Sequence, residues 1–443
     1  MRGEGGVLAM ALASRGIVLL AMLAWAWLGS PYDSSAALDL PCLSRDDHGF
    51  DRGGISNSTL LRSVVWDGVY YLRIARCGYE YEQMHAFQPL LPLLMRFLSN
   101  TALRGFVPVF GYDETLALSG YVINVMAFVL AALYLYRLSL YVLERERMAF
   151  LATAFFCFNP ASVFYSSLYT ESLFALLSFA GMWYLVSGAR WKSAILFGFS
   201  SIARSNGIVH AGFFLFQCLH LVYHNKVFHM KRPLLAGSLF VIIQCGLQAS
   251  LVVAPFVVFQ AYGYFEMCFN DSKQQRPWCK ATIPYLYGFV QDHYWDVGFL
   301  RYFQLKQIPN FLSASPALLL ASSAIVTYAR AQPKLFYSLG LAAPSWQKRK
   351  AALLPDHSKP PRVKKEATGF YAVASVPFVF ELLVMTLVAF LVMHVQVSTR
   401  FLSCSPVIYW FSASFRRQWI GWWVFLSYTL VGTLLFVNFY PFT

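Results

Sequence analysis

Thr115-Leu-Ala-Leu-Ser-Gly-Tyr-Val-Ile-Asn-Val-Met-Ala-Phe-Val-Leu-Ala-Ala-Leu-Tyr-Leu-Tyr-Arg137 carries no charged residue before its closing arginine. Crossing the hydrocarbon core of a bilayer takes about 20 predominantly apolar residues, so this segment reads as a transmembrane helix. Comparable segments lie at 12–30, 148–168, 171–188, 233–260, 311–329, 369–397 and 420–438. Shorter ones lie at 193–222, which is interrupted, and at 401–415. The fold expected is therefore an all-α polytopic membrane protein of roughly 8–10 spans, forming one membrane-embedded domain over 1–443. Composition agrees: 58% of residues are hydrophobic and 13% charged, against about 25% charged in soluble domains. That excludes a water-soluble globule or a disordered chain. Segment 12–30 exits through Leu28-Gly-Ser-Pro31 without an A-x-A cleavage site, and is expected to stay as a signal-anchor helix.

The net charge of +14 would suggest nucleic acid in a soluble protein. Here the basic residues sit between apolar segments and read as topology signals, so nucleic acid is not an expected partner. Nine of them fall in 330–367, against Asp356 and Glu366, which marks a flexible cytosolic basic loop. Lys226, Lys231 and Arg232, then Arg145 and Arg147, then Arg190 and Lys192, mark further cytosolic loops. Positions 192 and 223 thus lie on one side. Two half-length helices turning near Arg204-Ser-Asn206-Gly207 keep that parity. An arginine and an asparagine at membrane depth point to a cavity; the alternative is one long tilted helix with Arg204 snorkelling to the interface.

The same parity puts loops 31–110 and 261–310 on the luminal side. The sequons Asn57-Ser-Thr59 and Asn270-Asp-Ser272 fall in these loops, as expected of glycosylation sites. So do Cys42, Cys77, Cys268 and Cys279, and an oxidising lumen permits disulfides there. Cys268 and Cys279 close a short loop and are expected to pair, with Cα atoms under about 7 Å apart. The other four cysteines read as packing thiols.

The first luminal loop contains Trp66-Asp67-Gly68 ahead of helical spacing through Val69, Leu72 and Ala75. Asp67 suits a general base held at a helix start; the alternative is an N-cap. Segment 88–110 is apolar, broken by proline, and expected along the membrane surface. The second loop is dense in aromatics and hydrogen-bonding groups: Trp278, Gln291, Asp292, His293, Tyr294, Trp295 and Asp296. Aromatic faces beside amides suit a sugar, while an interfacial aromatic belt is the plainer reading. Glu171 joins two spans luminally, and His394-Val-Gln396-Val-Ser-Thr-Arg400 closes another span on that side. Arg204 and Arg400 together suit a lipid-linked phosphate. No G-x-G-x-x-G, P-loop, G-x-S-x-G or H-E-x-x-H is present, so a sugar would arrive on a lipid.

Several motifs resemble a known family: Trp66-Asp67-Gly68, Ile74-Ala-x-x-Gly78-Tyr79-x-Tyr81-Glu82, Arg204-Ser-Asn-Gly207, Pro277-Trp-Cys279, Gln291-Asp-x-Tyr-Trp-x-Val-Gly-Phe-Leu300, Leu305-Lys-Gln-x-Pro-Asn-Phe311, His394-Val-Gln-Val-x-Thr-Arg-Phe401 and Asn438-Phe-Tyr-Pro441. Together they look like the PIG-V type mannosyltransferases of glycosylphosphatidylinositol (GPI) assembly. The resemblance implies a GT-C-like, multi-pass enzyme of the endoplasmic reticulum membrane. It would use dolichyl-phosphate mannose and add the second GPI mannose in α1,6 linkage with inversion. It favours Asp67 as the base, with Arg204, His394 and Arg400 stabilising the leaving phosphate. Trp66, Glu171, Asn206, Trp278, Gln291, Tyr294, Trp295 and Gln396 would contact substrate. No cofactor or metal is called for. The expected partners are the lipid-linked donor, the GPI-precursor acceptor, the membrane and an accessory membrane subunit. This chain departs from the family pattern at Phe87-Gln88-Pro89-Leu90, where Phe-Phe-Pro-Gly is expected, and at Asp296, where Asn is expected. Rival readings are a transporter, which would show internal repeats that this chain lacks, a non-catalytic subunit, and another lipid-dependent mannosyltransferase.

Overall fold

Apolar periodicity without strand alternation leaves the backbone one way to satisfy itself in lipid, which is helix. The computed structural model describes residues 2–30, 32, 42, 59–228, 234–270, 276–355 and 368–440, and these are helical with no strands. Among them, seven helices are long and apolar enough to span: Gly3–Leu28, Tyr112–Leu143, Ser205–Tyr223, Gly237–Phe269, Leu305–Ala331, Val373–Leu391 and Gln418–Val437. The remaining apolar segments are shorter helices packed inside, such as Glu171–Val186 with 16 residues and Pro406–Ala413 with 8. The protein is an all-α polytopic membrane protein.

Segment 148–168 does not form one span. Helix Glu146–Cys157 ends before Asn159-Pro160, and a short helix Ser162–Ser166 follows. Proline disrupts a helix interior, and such a break is tolerated at membrane depth only where protein covers it. Arg15 supplies that cover from helix Arg2–Leu28. Its guanidinium donates to the Cys157 carbonyl at 2.8 Å, the Ser162 carbonyl at 2.9 Å and Ser166 Oγ at 2.8 Å. It also lies 3.7 Å over the Phe128 ring. Each carbonyl left unmet would cost about 1–3 kcal/mol, so Arg15→Met should lower stability by several kcal/mol, read as a fall in melting temperature in detergent.

The break at 204 is also real. Helix Arg190–Ala203 ends where Arg204 turns extended, a 3-10 segment Ser205–His210 follows, and helix Ala211–Phe228 leads away. Gly207 is required there, because a Cβ would stand 2.5 Å from the Ser200 carbonyl carbon and the Ser201 nitrogen. Snorkelling on one continuous helix is thereby excluded.

Two expectations about loops change. The basic stretch is not a free loop through 355: Pro333–Tyr337 and Lys348–Ala351 are helical, and Leu335, Ala351 and Leu353 are buried. Apolar residues interleaved with the lysines pack, which the charge count concealed. Positions 356–367 lie outside the described residues. Segment 369–397 is helical only over Val376–Leu391 in α form, preceded by two 3-10 turns. Helix Leu90–Asn100 buries Leu91 and Met95 and exposes Leu93 and Phe97, a one-sided helix.

Candidate active site

Helix Asp67–Cys77 begins at Asp67, so the carboxylate is on the first helical residue and not on a cap. The residue before it, Trp66, adopts φ 55° without being glycine. Such strain costs about 1–3 kcal/mol and persists only where surroundings impose it. Here the indole N–H donates to the Phe436 carbonyl at 3.1 Å, and the ring meets Phe439 at 5.7 Å. The last long helix thus clamps the start of helix Asp67–Cys77. The Asp67 backbone N–H donates to the Tyr169 hydroxyl at 3.0 Å. Tyr169 is itself fixed by Asn124, whose amide donates to the Tyr169 carbonyl at 2.9 Å.

The Asp67 carboxylate meets Arg400, with Nη1 2.9 Å from Oδ2. The same Nη1 lies 3.9 Å from Glu171 Oε1, and Arg204 Nη1 bonds that same oxygen. Glu171 opens helix Glu171–Val186 and is fully buried, where the helix N-terminus favours a carboxylate. Four charges therefore run Asp67, Arg400, Glu171, Arg204 and sum to zero. Arg204 and Arg400, the cationic pair expected for a phosphate, each also face a carboxylate. Glu171 stands behind the two arginines and does not line the cavity.

The cavity in front of them measures about 1000 Å³. Trp66, Asp67, Arg204, Asn206, Gln291, Trp295, His394, Gln396 and Arg400 all line it, so the structure gathers these from four separate stretches of chain. His394 Nε2 donates to the Trp295 carbonyl at 2.7 Å, and its ring stacks on Tyr302 at 4.7 Å. That ties the 261–310 loop to the end of helix Val376–Leu391.

Trp278 and Tyr294 do not reach the cavity. Both bond Glu82: the Trp278 indole N–H donates to Oε1 and the Tyr294 hydroxyl to Oε2 at 3.0 Å. They fasten the second loop to the first. Trp278 is buried in a separate small core with Met267, Leu286 and Val290. Asp292 and Asp296 face Arg301 on an exposed surface. Cys268 and Cys279 are bonded, with Cα atoms 5.8 Å apart, and Cys42 and Cys77 likewise, at 5.4 Å. Nearby His85 is buried, and desolvation pushes its imidazole down to about 4, so it stays neutral near pH 7. Asn57 lies outside the described residues.

Sequence reading missed Gln88, Tyr287, Asn310, Tyr428 and Phe436, which also line the cavity. Tyr428 and Phe436 sit in an apolar span with nothing local to single them out. Gln88 did carry a signal, its departure from the expected motif.

Over residues 4–443 the chain matches a family model described as Mannosyltransferase (PIG-V). It is 35% identical over 373 residues to GPI alpha-1,6-mannosyltransferase 2 of Homo sapiens, covering 79% of this chain and 72% of that one. The Rattus norvegicus protein of the same description is 36% identical over 377 residues, with the same coverage. GPI mannosyltransferase 2 of Drosophila melanogaster is 30% identical over 472 aligned residues, covering 98% of each chain. No solved structure gives a significant match.

Proposed function

The chain belongs to the PIG-V mannosyltransferase family, and from that premise we propose that it moves mannose from dolichyl-phosphate mannose to the 6-hydroxyl of a single-mannose GPI precursor. The observation that carries the mechanism is the Asp67–Arg400 pair at the wall of the cavity, backed by Glu171 and Arg204.

Asp67 accepts the acceptor's hydroxyl proton as that oxygen bonds the anomeric carbon and the carbon–oxygen bond to phosphate breaks. The β-linked donor yields an α product, so one displacement with one base suffices. The donor phosphate carries one negative charge before the step and two after it. Protonation of Asp67 removes the carboxylate 2.9 Å from Arg400, and Glu171 is already bonded to Arg204. The site thus passes from neutral to one net positive charge as the phosphate gains one negative charge. Charge appearing where and when it is needed is the largest common source of transition-state stabilisation. No step uses a metal.

The membrane of the endoplasmic reticulum is the proposed location, with the cavity open to the lumen. The two disulfides support this, since such bonds persist in oxidising compartments; Asn57 and Asn270 are the proposed glycosylation sites. The test is expression in cells lacking the second GPI mannose, with lipid-linked intermediates separated by chromatography. Single-mannose GPI should disappear. Its persistence beside a well-expressed protein would refute the assigned step.

A further inference from the structure

Gln88 lines the cavity, yet it is 2% exposed, and among the described residues neither its Nε2 nor its Oε1 has a hydrogen-bond partner. Its backbone is held firmly. The Phe87 carbonyl before it accepts the Tyr79 hydroxyl at 2.7 Å, and Pro89 follows with φ −79°. The Phe87 ring stacks on Tyr70 at 4.6 Å and meets Trp295 edge-on at 6.2 Å. The side chain is therefore placed by a rigid aromatic wall while its amide is left unmatched. A residue kept only for packing would be apolar here, because a buried amide without partners is costly. Gln291 lines the same cavity one helical turn before Trp295. The charged groups gather at Asp67, Arg400 and Arg204, whereas the wall around Phe87 and Trp295 offers aromatic faces and amides.

We propose that Gln88 is a specificity-determining residue that reads two neighbouring hydroxyls of a mannose ring packed against Phe87 and Trp295. One amide supplies both a donor and an acceptor, which matches a vicinal diol whose hydroxyls each donate and accept. This rests on the mannosyl-transfer reading and adds the residue that recognises the sugar. Donor and acceptor both carry mannose, so the ring is assigned by experiment.

The test replaces Gln88 by Met, close in volume and without the amide, with Gln88→Leu as a second variant. Each is assayed as full-length protein with dolichyl-phosphate mannose and single-mannose GPI, and with 2-, 3- and 4-deoxymannose versions of each substrate. Expected is a 10- to 100-fold fall in kcat/KM on the natural pair, with a melting temperature equal to or above wild type, because an unmatched amide has been removed. The gap between wild type and variant should narrow on the two deoxy substrates that each lack one of the adjacent hydroxyls Gln88 reads and stay full on the third, and whether those substrates are donor or acceptor identifies the ring. Unchanged kcat/KM overturns the proposal. So does an equal loss on every deoxy analogue, or a fall in melting temperature in both variants that tracks the lost activity. A wild-type protein that transfers no mannose to the GPI acceptor would instead refute the function itself.

Discussion

Asp67→Asn should insert and fold, and should turn over at least about 100-fold more slowly, the low end of what a positioned general base contributes. The helix start does not depend on this carboxylate. Asp67 is the first residue of helix Asp67–Cys77, and no side chain caps it. Asparagine therefore removes the proton acceptor without removing a cap. The charge argument adds a second signature. With Asn at 67 the site holds one net positive charge from the outset, because Arg400 loses the carboxylate 2.9 Å away while Glu171 remains with Arg204. The donor phosphate should bind at least as well as in wild type, so kcat falls and the donor KM does not rise. Asp67→Glu keeps the charge but moves the carboxylate by about one methylene, beyond the roughly 3 Å reach that proton transfer requires; it should also turn over poorly. Single-turnover kinetics on purified variants would separate the two constants. Near-normal transfer by Asp67→Asn would place the base elsewhere, and a raised donor KM with unchanged kcat would break the charge argument.

How much of this was legible depends on whether the signal was local. Long apolar runs such as 115–137 read directly as spans because one physical requirement, hydrocarbon thickness, sets their length. The break at Arg204-Ser-Asn-Gly207 was legible because charge parity demanded a turn and glycine permitted one. The break at Asn159-Pro160 was not read, although proline marks it, because no charged residue interrupts 148–168. What rescues it is Arg15, about 145 residues away in sequence, through bonds to Cys157 and Ser162. Pairing has the same character. That Asp67, Glu171, Arg204 and Arg400 would matter was readable from their place at the ends and breaks of apolar segments. That Glu171 would bond Arg204 and stand 3.9 Å from Arg400 was not, since periodicity gives no contact across helices. For Trp278 and Tyr294 aromatic density suggested sugar binding, and their bonds to Glu82 in the other loop were equally out of reach of the sequence.

Glu171→Gln should be the most destabilising single change in the site, and it should differ in kind from Asp67→Asn. Glu171 is fully buried, and its Oε1 serves Arg204 directly and Arg400 at 3.9 Å. Removing one member of a buried ion pair costs about 3–5 kcal/mol, because the surviving charge stays out of water without compensation. Asp67 is about one-third exposed, so its loss is partly screened and costs less. The two variants thus separate the functions of two carboxylates that sit on the same arginine: one lowers melting temperature, the other lowers turnover. The double variant Glu171→Gln with Arg204→Gln removes the buried acid and its partner together. It should recover part of the lost stability, since replacing a buried pair by neutral groups is often close to neutral. Thermal unfolding in detergent, with and without donor, reads this directly. A Glu171→Gln protein that melts like wild type would show that the arginines need no buried counter-charge. One that melts like wild type yet transfers no mannose would make Glu171 the proton acceptor, and Asp67 its neighbour.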